Sequence, residues 1–357
     1  MDRRILVLNG GSSTLKTALY LADDLSCVKR ETHEVTPDTY HEALESILST
    51  IGPLHAIGHR VVHGGRRFFE PVRVDAEIFK ALEDLIPLAP LHQPYNLRAI
   101  SEIGKMHPDL TQIACFDTAF HRTQPEINQM YALPRSLTEQ GIIRYGFHGL
   151  SYEHIADILP EHSGKGHGRV IVLHLGSGAS ACAMKDLKSI SSTMGFTALE
   201  GLMMGTRCGA IDPGVILYLL QEKGLTGEEI STILYKKSGL LGVSGLSADS
   251  RDLIDNTDPD AQKSIDLFCH YARRAVGQLT AELGGLDVLV FTAGIGEHQP
   301  IIRAKIAEAF SWLGVHIDQD QNIKNSTLIS AQNSAVEVFI LPTDEEAVIA
   351  RYTREFI

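Results

Sequence analysis

The sequence predicts an α/β protein built from a duplicated domain. Three observations carry this: a short apolar run that ends in a turn of small residues, an echo of that run and turn 165 positions later, and short strand-like runs alternating with helix-period segments. The first copy, Arg4 to Lys16, reads RILVLNGGSSTLK. Ile5-Leu6-Val7-Leu8 is too short to span a membrane and reads as a buried strand. Asn9, Gly10, Gly11, Ser12, Ser13 and Thr14 add little bulk, so backbone N–H groups and hydroxyls can approach an anion, and Lys16 adds positive charge. One such turn alone reads equally as an ordinary hairpin. The echo, Arg169 to Ser180, reads RVIVLHLGSGAS, with identities at Arg4/Arg169, Val7/Val172, Leu8/Leu173, Gly11/Gly176 and Ser12/Ser177. A repeat that long is no solenoid unit. It predicts two related domains whose glycine-serine turns can face each other across a cleft, with an oligophosphate as the obvious occupant.

Composition narrows the class. At 357 residues and 44% hydrophobic content the chain can form two domains with a substantial core. With 32 basic against 44 acidic residues, a net charge of -12, no surplus of cations remains for nucleic acid or an acidic membrane. Small anions stay possible where positive side chains converge. The five cysteines, Cys27, Cys115, Cys182, Cys208 and Cys269, are scattered without a CxxC pair, which fits a reducing compartment and no zinc-cysteine site. The start of the chain offers only a short apolar run after Arg3-Arg4, too little for a signal-peptide core, and no later stretch reaches membrane length. A cytoplasmic enzyme is the expectation.

In the first half, Leu15 to Leu21 and Leu25 to Arg30 extend an antiparallel meander through Asp23-Asp24. Tyr40 to Ile51 changes period, placing Leu44, Ile47, Leu48 and Ile51 on one helical face. Ile57 to Gly65, IGHRVVHGG, is a strand running into a glycine pair. His59 and His63 are spaced for a metal, yet no Cys or acid ligand stands near, so a structural role reads better. Arg60, beside Val61-Val62, is costly to bury unless an anion or carboxylate meets it. A helix through Ile78, Leu82 and Leu85 ends near Pro87; a rigid loop carries His92; Pro94 opens a helix through Leu97, Ile100 and Ile103. Ile113 to Phe116 is a strand delivering Asp117 at its C-terminal end, where open α/β sheets place ligand groups, although capping the next turn is a fair alternative. His148, set between glycines in YGFHGLS, is a ligand-facing candidate, with Ser151 expected to cap the following helix.

The second half opens with the echo strand and a meander through Ala181 to Ser191. Thr193 to Pro213 is glycine-rich around Arg207 and reads as an irregular active-site loop, or else as a loose helix at Leu199 to Met204. Asp212-Pro213 opens a helix with Ile216, Leu219 and Leu220 on one face; Thr226 and Glu229 form a capping box. Ser247 to Leu253 is a polar loop, and a long helix runs through Ile265, Phe268, Ala272, Val276 and Leu279. Strand Val288 to Phe291 enters Thr292-Ala-Gly294-Ile-Gly296-Glu297, a Gly-x-Gly corner friendly to nucleotides. Val336 to Leu341 is the last strand, and Thr343 with Glu346 is expected to cap the final helix.

The motifs NGGSSTLK, GHRVVHGG, APLHQP, FDTAFH, RYGFHGLSYEHIA, HLGSGAS, MGFTALEGLMMGTRCGAIDP, FTAGIGE and PTDEEAVIAR occur together and in order. Over essentially its whole length the chain resembles the acetate kinase family of acyl-phosphate-forming kinases. The resemblance implies two ribonuclease-H-like lobes of the actin-like ATPase and sugar-kinase superfamily, 1–119 with 347–357 and 120–346, and a nucleotide cleft between them. It also implies ATP and ADP as co-substrates, Mg²⁺ with Mn²⁺ as a substitute, a short-chain carboxylate and a homodimer. Carried over by motif, Asn9, Ser12 and Lys16 lie by the phosphates, and Arg60, His148 and Arg207 surround the transferring phosphoryl group. His92 and Asp117 support the site; Asn9, Asp117 and Glu345 lie near the metal. Val62, Leu91, Phe147 and Ala198 line the acyl pocket. His174, Gly176, Ser177 and Gly178 form the second phosphate loop, while Asp249, Ser250, Arg251, Gly294, Ile295, Gly296 and His298 enclose the adenosine. Ser177 and His298 stand where the family usually has Asn, which leaves the phosphate donor open. Ala198 replaces a usual proline, with room for one more methylene, and Ala210 replaces a usual acid. The chain also reads as trimmed between Arg30 and Tyr40. Two other readings remain: a sugar-type kinase using Asp117 as base, and a nucleotide-binding homologue without turnover.

Overall fold

The computed structural model describes residues 3–11, 14–36 and 38–357; the predicted phosphate contact at Ser12 lies outside them. The chain divides into two compact units, Met1–Arg122 with His148–His154 and Asp344–Ile357, and Thr123–Phe147 with Ile155–Thr343.

The first unit is built on strands β1 (Arg4–Gly10), β2 (Thr14–Leu21), β3 (Cys27–Glu34), β4 (Ala56–Val61), β5 (Val72–Arg73) and β6 (Thr111–Phe116), in the order β3-β2-β1-β4-β6-β5. β1 pairs antiparallel with β2 and parallel with β4, and β4 pairs parallel with β6. Alternation along β1 explains its unbroken apolar run, because both faces are covered. Leu6 and Leu8 pack with Leu44, Ile47, Ala99 and Ile103 of helices Tyr40–Ile51 and Gln93–Met106. Ile5 and Val7 pack with Val348, Ile349 and Ala350 of the last helix, Glu345–Arg354. That helix lies close on β4 because residue 58 is glycine: a Cβ there would sit 2.3 Å from Thr353 Oγ1 and 2.5 Å from Ile349 Cγ2.

The second unit repeats the plan. β7 (Arg169–Leu175), β8 (Ala179–Lys185), β9 (Lys188–Ser192), β10 (Val288–Thr292) and β11 (Glu337–Ile340) are ordered β11-β10-β7-β8-β9. β7 pairs antiparallel with β8 and parallel with β10, as β1 does with β2 and β4. The sequence echo therefore marks the same strand-turn-strand device at the centre of each sheet.

Several elements differ from expectation. Ser151 lies inside the first turn of helix Gly149–His162, because the helix starts earlier at the close-packed glycine and Ser151 cannot cap it. The last helix is capped by Asp344, whose side chain accepts from Ala347 N–H at 2.9 Å, and not by Thr343. Ser247 to Leu253 is partly helical, Ser250–Ile254. Helix Pro213–Gln221 is capped by Asp212 as predicted; Ile216 and Leu219 of its predicted face are half-buried, and its other residues, Leu220 included, are exposed. Residues 193–212 contain no helix. The Thr226–Glu229 capping box is present.

Candidate active site

The C-terminal ends of β1, β4 and β6 bring three predicted site residues to one edge of the first sheet. Arg60, on β4, donates from Nε to Asp117 Oδ1 at 3.0 Å and from Nη2 to Asp117 Oδ2 at 2.5 Å, and Nη1 reaches Asn9 Oδ1 at 3.3 Å. Glu345, the first residue of the last helix, places Oε2 3.5 Å from Arg60 Nε. The carboxylate that makes a buried arginine affordable is thus the protein's own Asp117. Asp117 is 1% exposed, whereas the Arg60 side chain keeps 21% of its surface open. Burial pushes the Asp117 carboxyl up, the Arg60 guanidinium opposes the rise and Glu345 adds to it. Lys16 is the direct cross-strand partner of Asn9 in the β1–β2 ladder and is exposed.

The turn carrying His148 is fixed to this edge. Gly149 N–H donates to the Asp117 carbonyl at 2.8 Å, and a Cβ on Gly149 would lie 2.2 Å from that oxygen. His148 itself takes a left-handed φ of 58° between Phe147 and the close-packed Gly149. His92 precedes helix Gln93–Met106, Val62 is buried and Leu91 is exposed. The sequence reading missed two polar residues on the buried face of that helix. Asn96 accepts from Val62 N–H at 3.0 Å and donates to the Gly10 carbonyl at 2.8 Å, tying the first turn to β4. Gln93 accepts from His63 N–H at 3.1 Å and donates back to the His63 carbonyl at 3.1 Å. Their signal was polar residues at helical spacing beside Leu97 and Ile100.

The second unit holds the remaining candidates. His174, next to last in β7, lies opposite Ser180, and Gly176 N–H closes the turn on the Gly178 carbonyl at 3.0 Å. The Ser177 carbonyl accepts from Gly205 N–H at 3.1 Å, so the second glycine-serine turn touches the loop that carries Arg207. Arg207 Nη1 donates to the Ala198 carbonyl at 2.6 Å, and Phe147 is buried. Asp249 caps the Ser250–Ile254 helix and binds Arg251, whose Nη2 is 2.5 Å from Oδ2. Gly294, Ile295, Gly296 and His298 lie in a short helix, Ala293–His298, directly after β10; the predicted Gly-x-Gly corner is helical. Arg303, unremarked in the sequence, is fully buried and holds this helix by donating to the Gly296 carbonyl at 2.8 Å and Asn322 Oδ1 at 2.7 Å.

Among the described residues no three His, Cys, Asp or Glu side chains cluster as a closed metal cage. Asn9, Asp117 and Glu345 gathered on Arg60 are instead a sparse set of hard oxygen donors, which fits Mg²⁺ completing its shell with phosphate oxygens and water.

An α/β fold that repeats one sheet plan, with an arginine and carboxylates at a strand edge and a glycine turn in each half, suits an enzyme that handles anionic, phosphate-bearing substrates. A model of the Acetokinase family matches residues 23–351. The acetate kinase of Rhodopseudomonas palustris strain TIE-1 is 50% identical over 99% of this chain and 98% of its own length. Among solved structures, a propionate kinase from Francisella tularensis superposes with a TM-score of 0.92 at 35% identity, covering 99% of this chain and all of that one. The Porphyromonas gingivalis acetate kinase superposes at 0.88 with 35% identity, covering 98% of each chain. This chain belongs to the acetokinase family.

Proposed function

We propose that this protein transfers the γ-phosphoryl group of ATP to a short-chain carboxylate, acetate foremost, giving an acyl phosphate and ADP by reversible, direct in-line displacement. The observation that carries this reading is the Arg60–Asp117 pair. A kinase acting on a hydroxyl needs a carboxylate free to take a proton, and both Asp117 oxygens are occupied by Arg60. A carboxylic acid with a pKa of about 4 to 5 is already ionised at neutral pH, so no base is required. The barrier is repulsion between two anions. Arg60, His148 and Arg207 offset it by stabilising charge on the transferring oxygens, and Asp117 and His92 hold the site in place.

Asn9, Glu345 and the Asp117 lone pairs that the Arg60 hydrogen bonds leave open would hold Mg²⁺, or Mn²⁺ in its place, which would supply positive charge to offset the negative charge of the phosphates. Lys16, Ser12 and the turn of His174, Gly176, Ser177 and Gly178 take the phosphates. Asp249, Ser250 and Arg251 with Gly294, Ile295, Gly296 and His298 take the adenosine. Val62, Leu91, Phe147 and Ala198 receive the acyl group. The small Ala198 favours acceptance of propionate as well, a preference worth about 1–3 kcal/mol.

The protein works as a homodimer in the cytoplasm. In support, Ile211, Val215, Leu217, Tyr218 and Leu220 are 39–52% exposed on and beside one helix whose Ile216 and Leu219 alone are half-buried, and a second copy offers the same apolar face. No described helix is long and apolar enough to cross a membrane.

Trapping with hydroxylamine tests the reaction. Acetate with ATP and Mg²⁺ yields acetohydroxamate, propionate yields its hydroxamate with a kcat/KM within about 100-fold, and glucose releases no ADP. ADP release on glucose, or nucleotide binding without hydroxamate, would count against it.

A further inference from the structure

The segment 193–207 carries both Ala198 and Arg207 and has no regular structure of its own. Its shape comes from a side-chain clamp. Phe196 N–H donates to the Tyr131 hydroxyl at 2.7 Å, and that hydroxyl donates to Glu200 Oε2 at 2.7 Å. Arg144 Nη1 donates to Glu200 Oε1 at 2.6 Å, while its Nη2 donates to the Ser192 and Thr193 carbonyls at 3.1 and 3.3 Å. The guanidinium also lies over the Tyr131 ring, 5.3 Å from its centroid. Both arms of the turn are therefore held, at Phe196 through its amide and at Glu200 through its carboxylate. Between them, the Ala198 carbonyl receives Arg207 Nη1. Burial and the Glu200 carboxylate push the Tyr131 hydroxyl above its ordinary range, so it remains a donor at neutral pH.

We infer that Glu200, acting with Tyr131, is a positioning residue for the carboxylate acceptor: it fixes the turn whose Ala198 carbonyl aims the Arg207 guanidinium. This rests on the reaction proposed above. The clamp touches the acyl-pocket side of the loop. The tie to the second phosphate turn, from Gly205 N–H to the Ser177 carbonyl, belongs to the other arm. Asp249–Arg251 and Gly294–His298 are held by separate partners. Loosening the clamp therefore separates the two substrates, which a general loss of stability does not.

The test compares Tyr131→Phe, Glu200→Gln and the double variant. Each single variant raises the KM for acetate about 10-fold, the cost of loosening a partly buried hydrogen-bonded clamp, and leaves the KM for MgATP within about twofold. Because both groups act through one network, the double variant is no worse than the weaker single one. Hydrogen exchange at the Phe196 amide accelerates in Tyr131→Phe. An unchanged acetate KM, or an equal rise in both Michaelis constants, overturns the inference. Should Glu200→Gln fail to fold, Tyr131→Phe removes only a hydroxyl and carries the test alone. Wild-type protein that forms no acyl phosphate removes the proposed reaction instead, whereas the exchange measurement still reports whether the clamp holds the turn.

Discussion

Arg60 connects the sequence to the chemistry most directly. A guanidinium placed among Val61 and Val62 must be met by an acid, and Asp117 meets it through two parallel hydrogen bonds. Lysine carries the same charge without the fork, so Arg60→Lys should fold, retain nucleotide binding and lose about 10²-fold in kcat. Steady-state kinetics with fluorescence titration of a nucleotide analogue checks this, and a kcat near wild type would remove Arg60 from the reaction. That an anion partner exists was legible in the sequence, since burial and charge conflict at this position. Which group supplies it was not, because residues 60 and 117 meet only when β4 pairs with β6. Asn96 and Gln93 escaped for the same reason: a polar side chain on a helix reads as solvated until the backbone groups it satisfies are placed beside it.

At the scale of elements, β4 and the turn after it carry an acid-sensitive load. Burial pushes His59 down to about 4, against its ring N–H hydrogen bond to Gln112 Oε1, and burial with the Arg122 charge pushes His63 down to about 4 as well. Above pH 6.5 both are neutral, folded or unfolded. As pH falls from about 6.5 toward 4, the unfolded chain takes up protons that the folded chain refuses, so stability is lost across that window. Each such histidine costs up to about 3 kcal/mol. Protection of the β4 amides, with observed rates divided into intrinsic ones, should accordingly fall between pH 7.5 and 5; equal protection at both would contradict the neutral, buried assignment.

Helix Pro213–Gln221 has its predicted face only partly covered: Ile216 and Leu219 are half-buried, while Leu220 is exposed. Its N-cap and first-turn proline were readable as local chemistry, but period alone cannot say whether an apolar face meets the chain's own core or another surface. Leu217→Lys with Tyr218→Glu should convert a wild-type dimer to a monomer in sedimentation, and a wild-type monomer would contradict the dimer. The last helix shows a smaller failure of the same kind, since Thr343 and Asp344 both suit an N-cap and only the actual start of the helix selects Asp344.

For the whole molecule, the duplication was legible because each copy places an apolar strand and a small-residue turn at the centre of its own sheet. Those are the positions least free to drift when both faces of the strand are buried. The edges of the sheets were less readable: the two-residue strand β5 and the helical Gly294–Gly296 corner depend on tertiary neighbours rather than on propensity. The central claim is that this chain transfers a phosphoryl group from one anion to another. Phosphorus NMR on purified protein with ATP, Mg²⁺ and acetate tests it most directly. The account predicts an acyl phosphate resonance that grows in equal amount with ADP and disappears when excess ADP is added. ADP accumulating with inorganic phosphate alone, or a phosphate ester appearing when a sugar replaces acetate, would contradict it.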